Sequence, residues 1–349
     1  MSSPVLAATR NALEYPFEAH PTGTAQEVAP GLLWVRMPLP FALDHINLWL
    51  VADGNGWTMV DCGLATNTTR SLWEEIFSRD LQGRPVGRVI VTHYHPDHIG
   101  LAGWLSAKFG LVPWMTRDEF LTAHAACHSV GGTGYARVRD FFARHGLDPA
   151  RLEAAGVGDG NYRRGVEPLP DTFRRIHHGD RIAIGDRSWQ VIVGYGHAPE
   201  HAALHCGGAA LLIAGDMLLP RISTNVSVWP AEPDGDPLGD FLDSLDRFAG
   251  LDADTLVLPS HGLPFRGIQP RVAELKAHHA ARLDKLARVC DAERTAAELL
   301  PTLFRREFTD YQLLFAMGET IAHLNHLWHE GVVRRIAGPD AVWRFVRAN

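Results

Sequence analysis

The chain of 349 residues carries a formal charge of −7 and is 46% hydrophobic, enough apolar material for a substantial core in one or two domains. That composition excludes a disordered, collagen-like or coiled-coil chain, and no run approaches the roughly 18 apolar residues of a spanning helix. The acidic balance also argues against a protein that coats nucleic acid. Nineteen histidines stand against three lysines, Lys108, Lys276 and Lys285. The first twenty residues mix Arg10, Glu14 and Glu18 with apolar ones and lack a leader's layout, so a cytoplasmic protein is expected. Cys62, Cys127, Cys206 and Cys290 are scattered with no CxxC, which suggests neither a disulfide framework nor a thiolate zinc site.

In chain order, residues 32–36, 46–52 and 57–60 are predicted strands, joined by turns such as Asp53-Gly54-Asn55-Gly56. A helix is expected over 67–79, a strand over 86–92 and a helix over 98–109. The segments 188–195, 209–214 and 255–259 are strand-like, and each is followed within a few residues by His or Asp. Between these halves lies an insertion, about 113–180, with helical spacing at 117–127, 135–145 and 148–155. It is either a wall of the substrate site or a peripheral decoration. Beyond Gly267 helical periodicity dominates, at 270–290, 295–300, 309–316 and 318–330, followed by short strands at 332–336 and 342–346. Helices followed by two short strands are the pattern of a winged helix, giving two domains, 1–267 and 268–349. The tail has 12 Lys/Arg against 10 Asp/Glu, and the first 267 residues have 21 against 30. A wing that reads DNA is normally far more basic, so packing or homodimerisation is the expected role.

The densest chemical signal is His93-Tyr94-His95-Pro96-Asp97-His98, directly after a strand. A packed core has no reason to hold three imidazoles and a carboxylate in six residues. His93 and His95 alternate along the chain and can reach one ion from the same side, while Asp97 and His98 can face a second. Nitrogen and oxygen donors without thiolate suit Zn²⁺, and also Mn²⁺ or Fe. His197, Asp216 and His261 follow, each just past a strand of the second half. Alone each is a weak signal; in this order they are a strong one.

This HxHxDH motif with spaced His, Asp and His resembles the metallo-β-lactamase fold superfamily over about residues 28–265. The resemblance implies a four-layer αββα sandwich of the α/β class. It also implies a first metal on His93, His95 and His197, a second on Asp97, His98 and His261, and Asp216 bridging the two. Asp61-Cys62-Gly63 stands where many members have Asp-Thr-Gly, a turn that buttresses the metal loop, and His201 is expected to support the ligands from behind. The tail, with His278-His279, Arg282 and residues 318–324, resembles that of the winged-helix-tailed β-lactamase-like-protein-2 subgroup.

Two divalent cations about 3.5–4 Å apart would lower the pKa of a shared water towards about 7. The metal-bridging hydroxide so formed makes the implied chemistry hydrolysis, with Asp97 as the catalytic residue that orients it. Asp216 at the bridging position argues against a thiolate-ligated β-lactamase. His95, the missing flavodoxin domain and the complete ligand set argue against flavodiiron reductases and sulfur dioxygenases. The expected substrate is a small-molecule carboxylic ester, thioester or lactone. RNA phosphodiester cleavage is the alternative, and a non-catalytic metal-stabilised scaffold a lesser one. Arg137, Arg139, Arg144, Arg163 and Arg164 form either an anion-holding face or, the favoured reading, a solvated one. Of the remaining histidines, His177-His178 and His278-His279 are expected as surface pairs, and His323, His326 and His329, at i, i+3 and i+6, on a solvated or interface face. His124, His128 and His145 are candidates for the pocket and His45 for the rim. Ser223, Thr224 and Asn225 are candidates for substrate contact.

Overall fold

The computed structural model describes residues 13–41, 43–154, 161–305, 308 and 310–348. Residues 1–12, on which the leader reading partly rests, lie outside the described residues, as does Ala155 of the expected helix 148–155. Two sheets face each other. The first has seven strands in chain order: β1 (Thr24–Ala29), β2 (Leu32–Pro38), β3 (His45–Asp53), β4 (Gly56–Val60), β5 (Val86–Ile90), β6 (Trp114–Met115) and β7 (Arg174–Arg175). Pairing is antiparallel up to β4 and parallel from β4 onward. The second contains β8 (Arg181–Ile184), β9 (Arg187–Gly194), β10 (His201–Cys206), β11 (Leu211–Gly215) and β12 (Leu256–Pro259) in sequential order, with only β11 and β12 parallel.

Strand alternation explains the layering. In β3, Trp49 and Val51 join Trp34, Trp189, Val191 and Leu204 between the sheets, whereas Ile46, Leu48 and Leu50 point the opposite way. That outer face packs under helices α1 (Asn67–Arg79), α2 (Pro96–Ile99), α3 (Ala102–Phe109) and α4 (Arg117–Cys127), through Trp73, Ile76, Leu105 and Phe120. The insertion continues with α5 (Tyr135–Arg144) and α6 (Pro149–Ala154). The outer face of the second sheet, with Ile192, Ala203 and Leu212, packs under α7 (Pro237–Ala249) and the C-terminal helices α8 (Ile268–Val289), α9 (Ala296–Leu303) and α10 (Asp310–His329). Helix, sheet, sheet, helix: this is the four-layer αββα sandwich. The hairpin β13 (Val333–Ala337) and β14 (Trp343–Arg347) closes the chain, and one core spans both sides of residue 267. Among the described residues no helix is long and apolar enough to cross a membrane.

The structure departs from the sequence expectations in places that have local causes. The expected helix 98–109 breaks between α2 and α3, because the backbone there bonds the 61–63 turn instead: Cys62 N donates to His98 O and Leu101 N to Gly63 O. The two expected helices 309–316, of which Thr309 lies outside the described residues, and 318–330 are one helix, α10. Gly318 sits inside it because a Cβ there would lie 2.7 Å from Ser227, so the glycine serves close approach rather than a break. The sequence reading assigns no element to 237–249, where α7 forms behind the N-cap Asp236 and Pro237.

Asp236 Oδ1 accepts the Gly239 N–H at 2.9 Å, and His326 Nδ1 lies 3.0 Å from its other oxygen. That hydrogen bond raises His326 above 6.5. Burial works to raise Asp236, but His326 and the Gly239 N–H hold it below 3.8. The His326 contribution is therefore complete below about pH 6.5 and fades as pH rises through the higher folded value, whereas the Asp236 contribution fades in acid. Asp236→Ala is expected to cost about 1–2 kcal/mol, more at pH 5.5 than at pH 8.5. Urea unfolding at the two pH values measures this, and equal losses at both would remove the ion-pair part of the account.

Candidate metal centre

The ends of the parallel strands gather the chemistry at one edge of the sandwich. Asp61 follows β4, the 91–98 segment follows β5, Asp216 follows β11 and His261 follows β12. His197 sits in the turn between β9 and β10. Seven side chains thereby form two groups whose donor atoms lie within 4.8 Å of one another: His93, His95, His197 and Asp216 in one, Asp97, His98 and His261 in the other. His93 Nε2 lies 2.9 Å from His95 Nδ1 and 3.2 Å from His197 Nε2, and His197 Nε2 lies 3.3 Å from Asp216 Oδ2. In the second group His261 Nε2 is 3.4 Å and His98 Nε2 3.8 Å from Asp97 Oδ2. Asp216 Oδ1 faces this group too, 3.5 Å from His261 Nε2 and 3.6 Å from His98 Nε2.

These spacings fit divalent cations. Zn–N bonds of about 2.0–2.1 Å put neighbouring ligand atoms of a tetrahedron roughly 3.3 Å apart. Three ring nitrogens converging on one point cannot all be satisfied by shared protons. His98 Nε2 and Asp216 Oδ1 are buried with no hydrogen-bond partner, as donors aimed at an ion would be. The Asp97 side chain is 21% exposed whereas those of His197 and His261 are nearly closed off, so the centre opens on the Asp97 side.

The opposite edge of the rings fixes which nitrogen is free. The hydrogen-bond network assigns Nδ1–H of His98 to Asp61 Oδ2 (2.8 Å), of His197 to the Asn225 carbonyl (2.7 Å) and of His261 to the His45 carbonyl (2.9 Å). Thr92 Oγ1 donates to Asp61 Oδ2 and lies 3.0 Å from His93 Nδ1, from which it accepts. Four Nε2 lone pairs are thus turned inward; His95 presents Nδ1 instead. Asp61 also takes the Thr92 N–H at 2.7 Å, with a left-handed backbone (φ 63°), so its carboxylate ties both ends of the 92–98 loop. His201, fully buried, accepts the Asp216 N–H on Nε2 at 3.1 Å. Gly215 (φ 54°) has to be glycine, since a Cβ would lie 2.3 Å from that ring nitrogen.

Burial, reinforced by His98 and His95, pushes His93 well below its ordinary value; burial with His197 brings His95 to about 3. Burial opposes charge at His98 and His261 also, but Asp61, Asp97 and Asp216 raise the first, and Asp216 with Asp97 the second. Burial would lift Asp97, yet His98 and His261 bring it to about 2. Asp216, pulled by His261 and His98, is likewise held well below the carboxylate range. The acidic donors are ionised, as cation ligands are. No cysteine joins either group among the described residues, and burial pushes the Cys62 thiol well up.

Other parts of the site carry no sequence motif. Glu119 of α4 is fully buried, with Oε2 accepting Tyr94 N–H (2.8 Å) and Oε1 accepting Glu200 N–H (2.6 Å). The Tyr162 hydroxyl donates to the Tyr94 carbonyl. Asn225, a candidate for substrate contact, supports His197 through its carbonyl, and Thr224 donates to the Asp216 carbonyl. His45, a candidate for the rim, lies beside His261: its Nε2 accepts the Gly262 N–H and its carbonyl takes the His261 Nδ1–H.

Several surface assignments are corrected. His279 and His323 are fully buried and face each other at 3.1 Å, and His326 pairs with Asp236 inside the chain. His278 is half-buried, with Nε2 3.4 Å from Arg282. His145 is buried against Phe141 and Trp343, and His124 bonds the Pro170 carbonyl. The insertion arginines do not converge: Arg139 pairs with Asp140, Arg144 stacks over Trp343, and Arg137, Arg163 and Arg164 are exposed.

The domain model of the metallo-beta-lactamase superfamily matches residues 42–261, and that of the metallo-beta-lactamase-like C-terminal domain matches 283–348. The solved structure of a beta-lactamase domain protein from Burkholderia ambifaria is 47% identical, covering 98% of this chain and 100% of that one, with a TM-score of 0.90. The "probable metallo-hydrolase" YqjP of Bacillus subtilis is 25% identical over 309 residues, 86% of this chain and 92% of that one. A hydroxyacylglutathione hydrolase of Fuscovulum blasticum is 27% identical over 154 residues, 42% of this chain and 49% of its own. The chain belongs to the metallo-beta-lactamase superfamily and is a metal-dependent hydrolase.

Proposed function

We propose that the protein is a dinuclear hydrolase that cleaves a carboxylic ester, thioester or lactone of a small molecule. His93, His95 and His197 hold one cation, Asp97, His98 and His261 the other, and Asp216 reaches both. The supporting observation is the two-sided use of the rings: His98, His197 and His261 bond outward through Nδ1 and keep Nε2 free at the centre. Zinc suits this all-nitrogen-and-oxygen set. Two such cations, when bound, supply an activated water and a Lewis acid for the substrate's carbonyl oxygen. Asp97, ionised throughout the neutral range and half-buried on the open side, accepts a hydrogen bond from the attacking water. It is the nearest base for the proton that the leaving group takes up. Asp61 and His201 keep His98 and Asp216 in place during the step.

The acidic balance of the first 267 residues, 21 Lys/Arg against 30 Asp/Glu, supports a small molecule over RNA. Likeness to a hydroxyacylglutathione hydrolase supports an acyl substrate. Metal analysis of the purified protein should return two divalent cations per chain. In a panel of thioesters, lactones, aryl esters and bis-p-nitrophenyl phosphate, acyl turnover should exceed phosphodiester turnover. The reverse order would replace this reading with a phosphodiesterase.

A further inference from the structure

Beside the metal centre, between the 216–228 segment and the C-terminal helices, lies a cavity of about 450 Å³. Its walls include Ile222, Asn225, Phe304 and Phe315, and the pair Arg282 and Glu319. It shares Asn225 with the centre, since that residue's carbonyl takes the His197 Nδ1–H. We propose that this cavity receives the acyl or aryl group of the substrate, and that the group it accepts is apolar and uncharged; the proposal rests on the hydrolase reading above.

Charge and surface both point this way. Arg282 Nη2 stands 3.0 Å from Glu319 Oε1, with the two side chains only 12% and 10% exposed. Their opposite charges leave the pair neutral as a whole. Glu319 Oε2 also takes Asn225 Nδ2 at 3.3 Å, and the guanidinium lies 4.6 Å from the Phe304 ring centroid. A carboxylate entering here would sit against Glu319 and would have to break a desolvated pair. An alkyl or aryl group meets aromatic faces and Ile222, which is 46% exposed although it is a large aliphatic side chain. Arg282 Nε and Nη2 are both buried without a hydrogen-bond acceptor and leave donors for a neutral oxygen in the chain. The size falls within the usual range of small-molecule pockets.

The experiment uses p-nitrophenyl esters of acetic, butyric and hexanoic acids and the mono-ester of adipic acid, which matches hexanoyl in length but ends in a carboxylate. Each buried methylene is worth up to about fourfold. kcat/KM should rise at least about tenfold from acetyl to hexanoyl, and the adipoyl ester should fall to the acetyl level or below. Ile222→Trp, at an exposed side chain whose backbone alone is hydrogen-bonded, should flatten the gradient. With the octanoyl ester added to the series, Phe315→Ala should move the optimum from hexanoyl to octanoyl. Calorimetric titration of hexanoate and adipate into the same protein separates the two readings. If no ester is cleaved but hexanoate binds at least about tenfold tighter than adipate, and Ile222→Trp abolishes the difference, the hydrolase reading fails and the cavity proposal stands. A flat ester series with equal binding of the two acids, or a preference for the adipoyl ester, overturns the cavity proposal.

Discussion

Asp216→Ala will strip the protein of its cations and lower hydrolysis by about 10³-fold or more. The carboxylate is the only described group with an oxygen in reach of both donor sets: Oδ2 at 3.3 Å from His197, and Oδ1 at 3.5 and 3.6 Å from His261 and His98. Removing it takes a negative charge from a place where five imidazoles converge. Cation charge then has one compensating ligand, Asp97, instead of two. Metal stabilisation of a developing oxyanion is worth several kcal/mol, and about 4 kcal/mol is a factor of about 10³. Folding should survive. The side chain is short, and its backbone N–H keeps the bond to His201. Metal content by mass spectrometry and turnover of the best ester give the two readouts. A variant that keeps both cations and the full rate would contradict the assignment of Asp216.

Legibility in the sequence followed the range of the interaction. His93 to His98 is one short loop after a strand, so its chemistry is contained in six neighbouring residues. His197, Asp216 and His261 were legible only as an ordered set, because the sandwich brings each to the same edge from a separate strand end. The reverse holds for His279 and His323. On their own helices they look like surface histidines, and only the packing of α8 against α10 buries them as a pair. Gly318 misleads for the same reason: helix propensity counts it as a break, but the contact that demands it is with Ser227, 91 positions earlier. Local rules were sound where they could act, as in the helix expected over 67–79, which forms as α1 with the Thr66 hydroxyl taking the Thr69 N–H. They say nothing about a residue whose partners are backbone groups far along the chain.

Glu119 is such a residue, and it carries the second large expected effect. In sequence, Arg117-Asp118-Glu119 is an ordinary acidic first turn of a helix, favourable to the dipole and otherwise unremarked. In the fold the side chain is inside, and each oxygen takes one main-chain N–H from a different metal loop: Tyr94, between His93 and His95, and Glu200, next to His201. Burial pushes its carboxyl up to about 8 even though those N–H groups pull it down, which is the cost of holding an acid there. Glu119→Leu has nearly the same bulk but takes the acceptor from two part-buried main-chain donors, at about 1–3 kcal/mol each. It also frees both loops to shift. Loss of such outer support typically weakens metal binding by about 10–100-fold. Glu119→Gln keeps one acceptor oxygen and turns an NH₂ towards the other donor, so it should fall between the two. Urea unfolding reports the first effect and a chelator competition the second. A Glu119→Leu protein with the stability and metal affinity of the parent would show that the two loops hold their geometry without this clamp.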